Sequence, residues 1–366
     1  MITALAASAD RSPAPGPLDF ELPEDRIAQF PAEQREEARL LRLDRAAGQW
    51  SHRSIADLPQ ILRRGDLLVV NDTRVIAARL RATVPTGGAA ELLLIRPMTA
   101  LPSLDPAART QTADWLCLGK PRKRLGAGAR LQIGGSWQAT IVGEAGRGRY
   151  QVRLEGDGPV SELLEQYGEI PLPPYIRRPG GPTQEDLHRY QTVFADRPGA
   201  IAAPTAGLHF TPELLARLDA AGVERTAVTL HVGPGTFLPI RDSAASHVMD
   251  PEWYEIPAAA AEAIGKARRE GRRVIAIGTT TTRALESAAR GTGEVPAGSG
   301  WADLFIVPGH RFQAIDALFT NFHLPGSTLL LLVSALAGAD LIGAAYRAAI
   351  ADGYRFYSYG DAMLIE

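Results

Sequence analysis

Between residues 78 and 154 the chain alternates apolar and polar positions in short runs: ARLRATV, AELLLIR, DWLCLG, ARLQIG, WQATIV and RYQVRL. Side chains point to opposite faces of a strand in turn, so this period marks strands with one buried face. Gly- and Pro-rich turns separate the runs and a longer loop, PSLDPAARTQT, interrupts them. Short strands at regular spacing with no helix between them predict a small barrel or sandwich.

On either side the pattern changes. FELPEDRIAQFPAEQREEARLL predicts a short extended piece and a helix, and SIADLPQILRRGDLLVVNDTRV a helix, a turn at Gly65 and a strand. After Pro159 helices return. TPELLARLDAAG starts with Thr211 as N-cap and Pro212 at the first helical position, and AAAAEAIGKARREG closes at Gly271. The runs ERTAVTLHV, RRVIAIG, ADLFIV and DALFTNF between helices have the texture of buried strands in an α/β sheet. Near the end, the apolar run from Thr328 stops at Asp340, short of the ~20 residues a bilayer crossing needs. Bounded by Pro-Gly-Ser and Asp, it predicts a helix buried in a core. The expected organisation is therefore α/β. A larger domain with a mostly parallel or mixed sheet is built from residues 19–74 and 156–366, a basic β-barrel domain is inserted at 75–155, and residues 1–18 form a disordered tail.

Composition narrows the class. Among 366 residues, 45% are hydrophobic and 22% charged, the balance of a globular enzyme. The lone cysteine, Cys117, excludes an internal disulfide and suits a reducing cytoplasm; within DWLCLG it reads as a packed thiol. MITALAASADRSPAPGP lacks the basic start and apolar core of a signal peptide. Net charge is −2, yet residues 75–155 hold 12 Lys and Arg against 5 Asp and Glu, an excess of seven. That asymmetry suits a domain that meets a polyanion, or else a solvated, loop-rich one.

Candidate chemistry gathers where strands run into loops, the place ligands occupy in open α/β sheets. AIAAPTAGLHF puts Thr205 and His209 there, and VTLHVGPGTF puts His231 before a turn whose Gly233 and Gly235 let backbone approach a ligand. VIAIGTTTTRALES brings Thr281, Thr282 and Arg283 to a helix start suited to a carboxylate or phosphate, unless they only cap and pair that helix. FIVPGHRF adds His310, and TNFHLPGS adds Asn321 and His323. Phe210, Phe237 and Phe322 beside them read as core. No HExxH, GxxxxGK[ST] or GxSxG motif is present, although five histidines from His209 to His323 are enough to gather round a metal. The residues alone describe an α/β enzyme with an anion-binding corner and leave its reaction open.

Taken together, FELPEDRIAQFP, GDLLVVNDTRVIAARL, GEIPLPPYIRR, YQTVFADRPGAIAAPTAGLHF, VTLHVGPGTF, VIAIGTTTTRALES, TNFHLPGSTLLLLVSALAG and YRFYSYGDAMLI resemble one family, the S-adenosylmethionine:tRNA ribosyltransferase-isomerases of queuosine biosynthesis. They run in the family's order from about Asp19 to Ile365. One departure is visible: where the family usually has His-x-Met-His-x-Glu, this chain has Asp250 at the second histidine position, between His247 and Glu252. The resemblance implies a barrel inserted in an α/β domain, and a transferase that consumes S-adenosylmethionine as a ribosyl donor. The acceptor would be the aminomethyl-deazaguanine wobble base of a tRNA anticodon loop, and the products epoxyqueuosine-tRNA, adenine and methionine. Neither metal nor bound cofactor is expected, nor a membrane, and the chain is expected to be a monomer.

Such a reaction needs a base near the ribose 5′ carbon, a proton donor for departing adenine and a neutral acceptor amine. His209 and His323 are the acid/base candidates, with His231 third. Thr205, Gly233, Gly235 and Asn321 are placed at the substrate, and Thr281, Thr282 and Arg283 at an anionic group of it. Lys120, Arg122, Lys123, Arg124, Tyr175, Arg177 and Arg178 are expected to hold the tRNA. Two other readings stay open: an RNA-binding member that lost catalysis, motivated by Asp250, and a metal-dependent hydrolase.

Overall fold

The computed structural model describes residues 18–98, 112–237 and 249–366. The N-terminal tail, most of the PSLDPAARTQT loop and His247 lie outside these residues.

Four parallel strands, Glu224–Leu230, Leu67–Asn71, Val274–Ile277 and Ala317–Asn321, form the middle of a nine-stranded mixed sheet. Both faces are covered in the middle of the sheet, so Leu67, Leu68, Val69 and Val70 and the strand Val274–Ile277 are apolar without alternation, whereas Glu224–Leu230 starts with exposed Glu224 and Arg225. Leu67, Val69, Val274 and Ala276 pack on one face with Ile264, Leu330, Val333 and Tyr346. Leu68, Val70, Ile275 and Ile277 pack on the other with Phe210, Leu214 and Leu218. Burial of each such side chain contributes about 1.5–3 kcal/mol, so the central strands are the most strongly held part of the sheet. Antiparallel strands Glu252–Ile256 and Gly298–Ala302 extend one edge. Ala362–Ile365, Arg39–Asp44 and Gln49–Ser54 extend the other.

The helix start read at Thr211 is present, whereas the apolar run expected to reach Asp340 as one helix breaks at Gly338. Thr211 Oγ1 accepts the Leu214 N–H at 3.1 Å at the start of Pro212–Ala220. The apolar run forms helix Thr328–Ala337, turns by 115° at Gly338 (φ +87°) and continues as Ala339–Ala351. No single helix among the described residues is long and apolar enough to cross a membrane, and Leu330, Val333, Ile342 and Tyr346 pack in the sheet's core. Two further segments differ from expectation. FELPEDRIAQFPAEQREEARLL makes only short 3-10 turns, Glu24–Arg26 and Arg35–Glu37, before strand Arg39–Asp44, because Leu40 and Leu41 are claimed by opposite faces of the sheet. ADLFIV is not a strand; the ladder ends at Ala302, opposite Glu252, where the partner strand begins just after Pro251.

The insert is a closed six-stranded barrel. Its order is Arg79–Thr83, Ala89–Pro97, Thr112–Lys120, Arg149–Glu155, Trp137–Glu144 and Arg130–Gly134, and a Thr83–Gln132 pairing closes it. All six expected runs are strands. Leu80, Leu92, Cys117, Ile141 and Val152 fill the interior, and burial pushes the Cys117 thiol well above its usual range. Helix Val160–Tyr167 adds Val160, Leu163 and Leu164 to the same core, and Gly168–Glu169 pairs with Arg79–Thr83. The insert thus packs as one body as far as Glu169, beyond residue 155, while Val75 pairs with Ala200 in the larger domain.

Candidate active site

The C-terminal ends of the parallel strands open into a cleft that encloses about 120 Å³, or about 830 Å³ counted out to solvent. None of its described lining side chains carries a charge. Two helices begin there. Val274–Ile277 runs through Gly278 into helix Thr279–Ala288, which has no side-chain cap, so its first N–H groups face the cleft through Thr279 and Thr280. Helix Thr328–Ala337 begins at Ser327, whose Oγ accepts the Leu330 N–H at 3.2 Å. Helix N-termini carry partial positive charge, so an uncharged cleft with two of them favours an anionic group without a basic side chain.

Asn321, at the last position of its strand, organises one wall. Its Nδ2 donates to the Tyr357 carbonyl at 3.0 Å and lies 3.1 Å from His209 Nε2. A carbonyl only accepts, so the amide orientation is set, and His209 Nε2 must accept as well, with the ring proton on Nδ1. Burial, then the Arg355 and Arg35 charges, lower the His209 pKa to about 3. His209 does not line the cleft. Its basic nitrogen is occupied by the amide, which removes it as the free base expected from sequence and makes it a support for Asn321. His323 does line the cleft. Burial lowers its pKa to about 3, and its Nε2 lies 3.0 Å from Thr320 Oγ1. Thr205 also lines the cleft.

His231 stands apart. Its Nδ1 bonds Thr73 Oγ1 at 2.8 Å, its ring stacks on Trp253 at 5.2 Å, and burial lowers its pKa to about 4. It lies outside the cleft lining, as do Gly233 and Gly235. Arg283 is 2% exposed and forms an ion pair with Glu252 through Nη1 while Nη2 donates to the Ala302 carbonyl. Glu252 in turn accepts the Gly233 N–H at 2.8 Å. Thr281 and Thr282 donate to the carbonyls of Ile277 and Gly278, one turn back. These three residues therefore do not hold an anion from solvent: the threonines lock the helix start, and Arg283 holds the glycine turn through Glu252. The anion-favouring groups are Thr279 and Thr280, two positions earlier.

The barrel joins the larger domain by two routes. Lys120 and Arg81 line one groove, Arg81 pairs with Glu169 at 2.6 Å, and Tyr175 in the cleft wall is six residues further on, at most about 20 Å of chain. Tyr175 stacks on Tyr357 at 3.9 Å and bonds Ser358 Oγ at 2.6 Å. On the second route, Arg147 and Arg149 of a barrel hairpin pair with Asp250. A Cβ on Gly235 would lie 2.9 Å from the Asp250 carboxylate, so the glycine turn, Asp250 and the hairpin form one contact. Arg122 lies against Gly148 of that hairpin, while Lys120 pairs with Glu91 and Arg124 donates to the Ala89 carbonyl. Lys123 shares the turn Arg122–Arg124. Arg177 is exposed beside Glu24, whereas Arg178 is held by Asp186 in a two-pronged ion pair and is not free for a phosphate. Among the described residues no three His, Cys, Asp or Glu side chains gather as a metal would require.

Sequence reasoning missed Thr279, Thr280, Thr320, Ser327, Tyr357 and Ser358 as cleft residues. Only TTTT and YSYG hint at them, and only strand-end placement says which threonines face out.

A family model described as "Queuosine biosynthesis protein" matches residues 17–365. The chain is 52% identical over 350 residues to a protein named S-adenosylmethionine:tRNA ribosyltransferase-isomerase from Anaeromyxobacter sp. (strain Fw109-5), covering 95% of this chain and 97% of that one. A protein of the same name from Gloeobacter violaceus is 50% identical over 349 residues, with 95% and 94% covered. Among solved structures, the crystal structure of an S-adenosylmethionine tRNA ribosyltransferase from Thermotoga maritima superposes with a TM-score of 0.54 at 34% identity, over 96% of this chain and all of that one. With a match that spans the barrel and every strand end around the cleft, the chain belongs to the queuosine biosynthesis protein family.

Proposed function

We propose that this protein is an S-adenosylmethionine:tRNA ribosyltransferase-isomerase. It moves the ribose of S-adenosylmethionine onto the aminomethyl-deazaguanine wobble base of tRNA and rearranges it, giving epoxyqueuosine-tRNA, adenine and methionine. The observation that carries this reading is the pairing of an uncharged cleft at the strand ends with a basic barrel whose outgoing chain enters the cleft wall at Tyr175. A sulfonium donor needs no counter-ion if its own carboxylate lies at the starts of the helices at Thr279 and Thr328. The sulfonium makes the adjacent 5′ carbon acidic, and the described cleft lining holds no carboxylate to offset its charge. Burial holds His323 neutral, so its imidazole can accept a proton, and it is the one histidine among the cleft's described lining residues. Holding donor and splayed-out wobble base together supplies further rate by proximity.

The Asp250 departure does not argue for a catalytically silent member. Its carboxylate is used in ion pairs with Arg147 and Arg149 and lies outside the cleft lining.

The direct test is to incubate the protein with S-adenosylmethionine and tRNA carrying the precursor base and to measure free adenine. The reading expects adenine release that requires the tRNA and persists with chelator. Tight tRNA binding without adenine would instead make the protein a binding module. For the residue roles, His323→Gln should lower kcat by roughly 10²-fold or more with tRNA affinity within a few-fold; an unchanged kcat removes His323 from the chemistry. Neutralising Lys120, Arg122, Lys123 and Arg124 together should weaken tRNA binding and reduce the slope of log affinity against log salt by about 2–3. Equal affinity for the quadruple variant and the parent at both low and high salt would exclude that turn as a tRNA contact.

A further inference from the structure

The Asn321 amide has a second end. Its Nδ2 is committed to Tyr357 and His209, while Oδ1 is buried in the cleft wall with no hydrogen-bond partner among the described residues. The side chain is not free to turn and relieve this, because exchanging the two ends would set oxygen against the Tyr357 carbonyl. That carbonyl is itself fixed. Tyr357 holds φ at +71°, its N–H donates to the Phe322 carbonyl at 3.1 Å, and its ring stacks on Tyr175. A buried acceptor left without a donor costs about 1–3 kcal/mol. A scaffold that pins such an acceptor at a cleft wall is built to meet a donor from a ligand.

We propose that Asn321 Oδ1 accepts the exocyclic N–H of adenine, so that this wall is the adenine subsite of the donor. The assignment rests on the function proposed above. S-adenosylmethionine offers three kinds of donor. Its ammonium is a full charge best met by a carboxylate, and the described lining supplies none. Its ribose hydroxyls donate and accept alike and place no demand on a pure acceptor. The adenine amine is neutral, planar and a pure donor, and Tyr357, Leu324 and Pro204 give the described lining near Asn321 an apolar character. His323, two residues along the chain, then lies on the ribose side. His209 takes no part in the chemistry and acts by holding the amide.

The test is calorimetry in the presence of precursor tRNA, comparing S-adenosylhomocysteine with S-inosylhomocysteine, in which a keto oxygen replaces the amine. The wild-type protein should bind the amino compound about 10- to 100-fold more tightly. Asn321→Leu should weaken binding of the amino compound more than that of the keto compound and bring the two within about 3-fold of each other. Equal binding by the wild type, or full discrimination retained by Asn321→Leu, overturns the subsite. Should Asn321→Leu fail to fold by circular dichroism, the N6,N6-dimethyl analogue decides on the wild type alone: it has no N–H, and binding as tight as that of the parent compound overturns the assignment. Lost discrimination with adenine release intact would leave the proposed reaction standing. Absence of both binding and release would sink the two together.

Discussion

The cleft depends on one amide. Asn321 ends a strand buried on both faces, so its backbone position is set by the core, and its Nδ2 then fixes the Tyr357 carbonyl and the His209 ring. Through Tyr357 the same contact orients Tyr175, which belongs to the loop leaving the barrel. A strand end, a histidine, a strained tyrosine and the interdomain connection are therefore held by two hydrogen bonds that share a donor. Networks of this kind are costly when half made and rigid when complete, which places the one incomplete atom, Oδ1, where a ligand belongs.

Charge is distributed with the same economy. The cleft has none on its described lining, whereas the barrel has an excess of seven positive residues over its length. Where charges do lie near the cleft they are used to hold backbone: Arg283 and Glu252 fix the Gly233 turn, and Asp250 ties that turn to Arg147 and Arg149. In a buried setting, breaking such a pair costs more than the pair contributes, so these residues govern shape rather than ligand charge. The substitution at Asp250 is physically coherent in this light, since a carboxylate there meets two guanidinium groups.

Much of the fold was legible because its signals are local. The six barrel strands follow from alternation, and the Thr211 and Gly271 boundaries from capping and backbone freedom. Strand Arg39–Asp44 was hidden because its side chains serve both faces of a sheet assembled from distant partners, with Ala362–Ile365 more than 300 residues away. At the site, Asn321, His323 and Thr205, named from sequence, line the cleft, and so does Tyr175, which was expected at the tRNA. Sequence could not tell Thr279 and Thr280 from Thr281 and Thr282, because helical phase decides which hydroxyls face the cleft and which turn back to the carbonyls of Ile277 and Gly278. Nor could it see that Arg283 and His209 are spent on internal partners; a side chain's availability is a property of packing.

The state of the His209 ring tests the Asn321 arrangement most directly. Long-range proton–nitrogen NMR of selectively labelled protein from pH 8 to pH 5 reads both ring nitrogens. The account predicts a neutral ring throughout, protonated on Nδ1 and bare on Nε2, in keeping with a pKa lowered to about 3. A ring protonated on Nε2, or one that titrates with a midpoint near the ordinary histidine value of about 6.5, would contradict it.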